Sequence, residues 1–198
     1  MLKHYFISIL FVLGACQAAE KPDDIAKNIE VLDVPTIRHL QKQNELEKTK
    51  QKQKPYLSLH QQSSGTMRAF EKEGKLIRLE DQNYTADGTI LSQYYYLPSG
   101  ELFLIRKTNT FKEKRQKAKF HVEQTELFFD KETLFKVVEK KAFFDSEKDI
   151  NLEKIPEMEL KLDAQILKSK SKRHNKESSQ LIFFMYSEQT YDDFFDHQ

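Results

Sequence analysis

Few residues in this chain are equipped for chemistry. Cys16 is its one thiol, and a thiolate is the best nucleophile among the side chains for taking up a lipid group. The rest of the chain has no cysteine, which excludes both disulfides and thiol catalysis there. The six histidines, His4, His39, His60, His121, His174 and His197, are scattered, and none stands at metal-ligand spacing from a second ligand. Gly-x-Ser-x-Gly, phosphate-loop and dinucleotide signatures are missing, and five glycines leave little material for such loops. Carboxylates are abundant, but sequence does not separate a pair facing across a cleft from ordinary surface charge. These residues predict a non-enzymatic chain with no metal and no cofactor.

The one reactive residue closes a distinctive stretch. Residues 1–16 read MLKHYFISILFVLGAC, a positive start at Lys3 followed by a short apolar run and then small residues. The run is too short for a hydrocarbon core of roughly 30 Å, which takes about 20 apolar residues, so it reads as a signal peptide. Leu13-Gly14-Ala15-Cys16 resembles the lipobox of bacterial lipoproteins. That resemblance implies cleavage after Ala15 and acyl chains, palmitate among them, on Cys16. It implies a cell-envelope location and, with Gln17 in place of Asp after the acylated cysteine, the periplasmic side of the outer membrane in a Gram-negative cell. The alternative is an ordinary secretory signal cut after Ala18 or Ala19.

Composition bounds the remainder. Lys+Arg number 32 against 31 Asp+Glu, so no global field points to nucleic acid or to anionic lipid. The length suits one domain and a tether, since domains commonly run to about 100–150 residues. Fifteen Phe and eight Tyr in a Trp-free chain are the supply of buried surface. The expected division is a signal peptide at 1–15, a lipid-anchored polar tether at 16–55 that is partly helical, and one antiparallel β-rich domain at 56–198.

Within the tether, Asp23 or Asp24 is placed to cap a short helix through Val31, and residues 33–54 have high helix propensity with Pro35 in a first turn. Only Ile37, Leu40 and Leu46 offer an apolar stripe there, so the expectation is a solvated spacer and not a core helix. After Pro55 the pattern changes to strand-like runs at 66–71, 75–83, 89–97, 101–111, 119–130 and 133–144. Short separators, among them Glu73-Gly74, Asp87-Gly88 and Asp130-Lys131-Glu132, make consecutive strands antiparallel neighbours. The fold class predicted is mainly β (α+β): a curved antiparallel meander with an N-terminal polar helix and one C-terminal helix. Apolar residues on both faces at one end call for a helical cover. Residues 155–172 supply it as a strand followed by a helix, and residues 180–187, QLIFFMYS, read as a buried strand.

Binding candidates come from aromatic and charge patterning. Phe-Phe-Asp occurs at 128–130, 143–145 and 194–196. The first two copies read as strand ends followed by a turn. The third, Phe194-Phe195-Asp196, lies in a tail with four acids and no base from Glu188 onward, suited either to docking in a partner's groove or to simple packing. Residues 112–119 and 168–176 each carry five basic residues, and within the second Lys170, Lys172 and Arg173 are candidates for meeting lipid phosphate or that acidic tail. Stacking aromatics are missing from both stretches, which argues against nucleic acid. The function expected is a lipid-anchored envelope protein whose β-domain binds another envelope component. The alternative is a carrier that holds a hydrophobic cargo on a concave aromatic sheet face, which would require a hollow of several hundred Å³ lined by Phe and Leu.

Overall fold

The computed structural model describes residues 32–58, 63–112 and 120–188. Helix α1 (Val34–Leu46) comes first and is followed by strands β1 (Lys50–Ser58), β2 (Ser63–Lys72), β3 (Lys75–Thr85) and β4 (Gly88–Tyr96). Strands β5 (Leu102–Lys112), β6 (Phe120–Asp130), β7 (Thr133–Phe144) and the two-residue β8 (Met158–Glu159) complete one sheet, and helix α2 (Ala164–Tyr186) ends the described chain. All neighbours pair antiparallel in the order β1 to β8, so the sheet is the expected meander.

Turn chemistry explains the order. Glu73 and Gly74, at φ 52° and 78°, join β2 to β3 in a tight hairpin whose twist suits the strands. Lys131 and Glu132 make the same kind of turn between β6 and β7 at φ 46° and 65°, with no glycine to relieve the left-handed backbone.

Side-chain alternation then divides the strands into two faces, and both are apolar toward the end of the sheet where these two turns lie. Ala69, Leu79, Tyr94, Ile105, Leu127 and Val137 form one cross-strand row, and α2 covers it with Leu181, Phe184 and Met185. Tyr95, Leu104, Phe128 and Val138 belong to the other face, and α1 covers it with Ile37 and Leu40. The product is three layers, helix on sheet on helix.

Two stretches differ from the sequence reading. Residues 33–55 are part of the folded domain and not a solvated spacer. Asp33 caps α1 by accepting the Thr36 amide. Ile37 is then fully buried (0%), and the helix stops at Leu46 because residues 50–58 add an edge strand to the sheet. Pro55 is tolerated there because β1 pairs only with β2 among the described strands. A polar helix docks because charge supplements its narrow stripe. Glu126, 1% exposed, receives the Arg106 guanidinium at 2.8 Å on one oxygen and that of Arg38 at 2.8 Å on the other.

Residues 180–187 continue α2 and are not a strand. Leu181, Phe184 and Met185 are buried at i, i+3 and i+4, in line with Ser171, His174 and Ser178, so the apolar cluster is the last turns of one long stripe. The helix starts at Ala164, where Asp163 accepts the Ile166 amide, after the short strand β8, in the strand-then-helix order expected for residues 155–172. The basic residues 168–176 accordingly lie on this helix.

Candidate functional site

Strand β5 sends consecutive side chains to opposite faces, so Arg106 serves the α1 face and Lys107 the α2 face. Beneath α2, Lys107 Nζ donates to Glu177 Oε1 at 2.8 Å, and the Tyr94 hydroxyl donates to the same oxygen at 2.9 Å. The other carboxylate oxygen, Oε2, lies 2.9 Å from His174 Nδ1, one helical turn earlier. Burial opposes ionisation of Glu177, yet the hydrogen bonds from His174, Lys107 and Tyr94, with the Lys107 charge, hold it down at about 2.

Asp81 completes this cluster from β3. Burial pushes its carboxyl above the ordinary value, with the Glu177 charge adding to the rise, while the Tyr56 hydrogen bond and the Lys107 charge oppose it. The Tyr56 hydroxyl donates to Asp81 Oδ1 at 2.6 Å, reaching over β2 from the edge strand. Gly65 stands directly opposite Tyr56, and a Cβ at that position would collide with the tyrosine ring. Glycine is thus what lets the ring lie across β2. Chemically, the cluster is a set of satisfied donors and acceptors that fixes the helix on the sheet. Among the described residues, no group of three His, Cys, Asp or Glu side chains comes together to hold a metal ion.

Beside the N-terminal half of α2 lies an open groove of about 630 Å³. Leu134, Phe135 and Leu167 give it an apolar floor, and Lys131, Lys168 and Lys172 line it with positive charge. Glu132 and Asn175 are also in its wall, and Asn175 Nδ2 donates to the Glu132 carbonyl at 2.8 Å, bracing the left-handed turn against the helix. The Ser171 hydroxyl accepts the Leu134 amide at 2.8 Å and fixes the strand start to α2. A second hollow of about 290 Å³, lined by Leu76, Tyr96, Pro98 and Ile182 among others, opens farther along the same helix. The Leu32 amide donates to Asp130 Oδ1 at 3.4 Å, which ties the segment before α1 to the end of β6.

The residues singled out from sequence divide three ways. Cys16, Phe194 and Phe195 lie outside the described residues, as do residues 113–119 of the first basic stretch. Lys172 lines the groove, whereas Lys170 and Arg173 sit on the same helix, half-buried and exposed respectively. Of the Phe-Phe-Asp copies, Phe128 and Phe129 are fully buried at the end of β6, as expected for a strand terminus. Phe143 is 60% exposed and stacks on His121 with ring centroids 4.6 Å apart. Asp81, Lys107 and Glu177 carried no motif. Their sign in the sequence was alternation, since Asp81 shares a face with Leu79, and Lys107 with Ile105. Among the described residues no helix is long and apolar enough to cross a membrane. Comparison of the chain with protein-family models, with curated proteins and with solved structures finds no match.

Proposed function

We propose that this chain is a lipid-anchored cell-envelope protein, held by acyl chains on Cys16, whose β-domain binds a second envelope protein without catalysis. The observation that carries the reading is the groove beside α2: lysines around a floor of Leu134, Phe135 and Leu167. A positive wall over an apolar floor selects an acidic segment that also carries apolar side chains. The aromatic faces on which a hydrophobic cargo would lie are filled by the two helices, with Phe184 and Ile37 both at 0% exposure. Binding at the groove is therefore favoured over carriage of a cargo on the sheet.

Two experiments test the two halves of this function. Labelled palmitate is expected on the wild-type chain and not on Cys16→Ser; label that persists in the variant refutes the anchor. A photoreactive p-benzoylphenylalanine in place of Phe135, activated in living cells, is expected to give a discrete adduct with one envelope protein. That adduct should disappear with Lys168→Glu and Lys172→Glu together, and recovery of lipid alone would defeat the protein-partner reading.

A further inference from the structure

The protein itself contains a segment of the chemistry that the groove selects. We propose that residues 188–198 return along α2 and seat Phe194 and Phe195 on the Leu134, Phe135 and Leu167 floor, with Asp192, Asp193 and Asp196 facing Lys168 and Lys172. This inference rests on the groove being a docking site, as proposed above, and names its first occupant. The C-terminal tail then competes in cis with the envelope partner.

Length permits this arrangement. An extended chain advances about 3.3 Å per residue, so Phe194, seven residues past Ser187, reaches about 23 Å back from the end of α2. A helix rises 1.5 Å per residue, which places Lys172, fifteen residues before Ser187, about 22 Å from that same end. The aromatic pair and the lysine thus meet at matched distances, and Asp196 comes level with Lys168.

The route is also suited to a chain. Ile182, on the same helical stripe as Asn175 and Ser171, lines the second hollow with Leu76 and Pro98, between the end of α2 and the groove. Charge favours the pairing, since the tail has four acids and no base while the groove lining has three lysines against one glutamate. The end of the helix is itself anchored. Lys54 Nζ donates to the Phe184 and Ser187 carbonyls at 2.8 Å each, so the departure point of the tail is held against β1.

The test uses the full chain, purified, with p-benzoylphenylalanine in place of Phe195. Illumination followed by peptide mapping is expected to give intramolecular adducts confined to residues 131–135 and 164–175, at a yield that does not change on dilution. Lys168→Glu with Lys172→Glu is expected to lower that yield about tenfold, the effect of losing two partly exposed ion pairs and replacing them with repulsion. Adding Asp192→Lys and Asp193→Lys is expected to restore it. Adducts on other segments, or a yield that falls on dilution as a contact between two copies would, overturn the proposal.

In cells the two readings separate. If both hold, deletion of residues 189–198 raises the partner adduct formed from position 135. A partner adduct unchanged by the deletion overturns the tail's seat and leaves partner binding intact. The intramolecular adduct without any partner adduct overturns partner binding alone.

Discussion

Arg106 and Lys107 are neighbours on β5 that face opposite helices, and each is the cation at the centre of the cluster holding its helix. Arg106 uses a planar fork. Its Nε meets Glu126 at 2.8 Å on the sheet, while its terminal nitrogens reach Gln41 at 2.8 Å and Glu45 at 3.4 Å on α1. The Tyr95 hydroxyl adds a hydrogen bond to Glu45 at 2.7 Å. Lys107 acts as a point charge on Glu177, which is also held by Tyr94 and His174. The apolar support differs in the opposite sense. α1 brings Ile37 and Leu40 to the sheet, whereas α2 brings Leu181, Phe184 and Met185 and has Phe184 edge-on to Tyr56 at 6.4 Å. A helix short of apolar surface is thus fixed by an arginine network, and a helix rich in it carries a smaller charged supplement.

This contrast is broken most directly by removing the two cations in turn. Arg106→Ala removes the strand cation that meets Gln41 and Glu45 on α1 and leaves the buried Glu126 with Arg38 as its remaining charged partner. A loss of about 3–4 kcal/mol is expected, the scale for removing one partner of a buried pair. Lys107→Ala leaves Glu177 with two other hydrogen-bond donors at a site closer to solvent, and a loss of about 1.5–2 kcal/mol is expected. Urea unfolding of the two variants against the wild type checks both values. If Lys107→Ala costs as much as Arg106→Ala, the difference between the faces is not one of charge against apolar contact.

Much of this architecture was legible in the sequence. Period-two alternation and turn residues are local signals, which is why the meander could be read strand by strand, and the buried Phe128-Phe129 end followed from the same pattern. The two segments read differently were those whose state is decided by neighbours. Residues 180–187 form an apolar run that suits a strand or a helix equally well. What decides for helix is the spacing of Leu181, Phe184 and Met185 against Ser171, His174 and Ser178 upstream, beyond the reach of a short window. Residues 33–55 look too polar to fold because the partners of Arg38, Gln41 and Glu45 lie far ahead in the chain, on β4, β5 and β6. The clusters beneath the helices were illegible for the same reason. A meander of known order still does not say which helix lies over which face.

The α2 face carries a second signature, dependence on pH. Glu177 sits at about 2 in the fold against about 4.3 for a free glutamate. Because its value is lowered, it contributes stability that is present above about pH 5 and is lost as pH falls through 4 toward 2. Glu177→Gln is therefore expected to cost about 1–1.5 kcal/mol at pH 7, a figure reduced from the full linkage value because the side chain is about a third exposed. Unfolding curves at pH 7, 5 and 3 should show the gap between variant and wild type narrowing with acid, and a constant gap would mean that the carboxylate charge does not hold the helix.

Asp81 makes the opposite and smallest contribution. Its value is raised chiefly by burial, so the folded state binds its proton more tightly than the unfolded chain does. Stability from this group is greatest below the unfolded value near 3.9 and falls as pH rises through the interval up to the folded value. Asp81→Asn removes that loss while keeping an oxygen to accept the Tyr56 hydroxyl. The variant should match the wild type near pH 3 and exceed it at pH 7 by something under about 1 kcal/mol. Two carboxylates on one face would then titrate with opposite slopes, because Glu177 has three donors and Asp81 has one donor and deeper burial. If Asp81→Asn is less stable than the wild type at pH 7, the Asp81 charge is compensated by Lys107, and the two groups belong to a single balanced network like the one around Arg106.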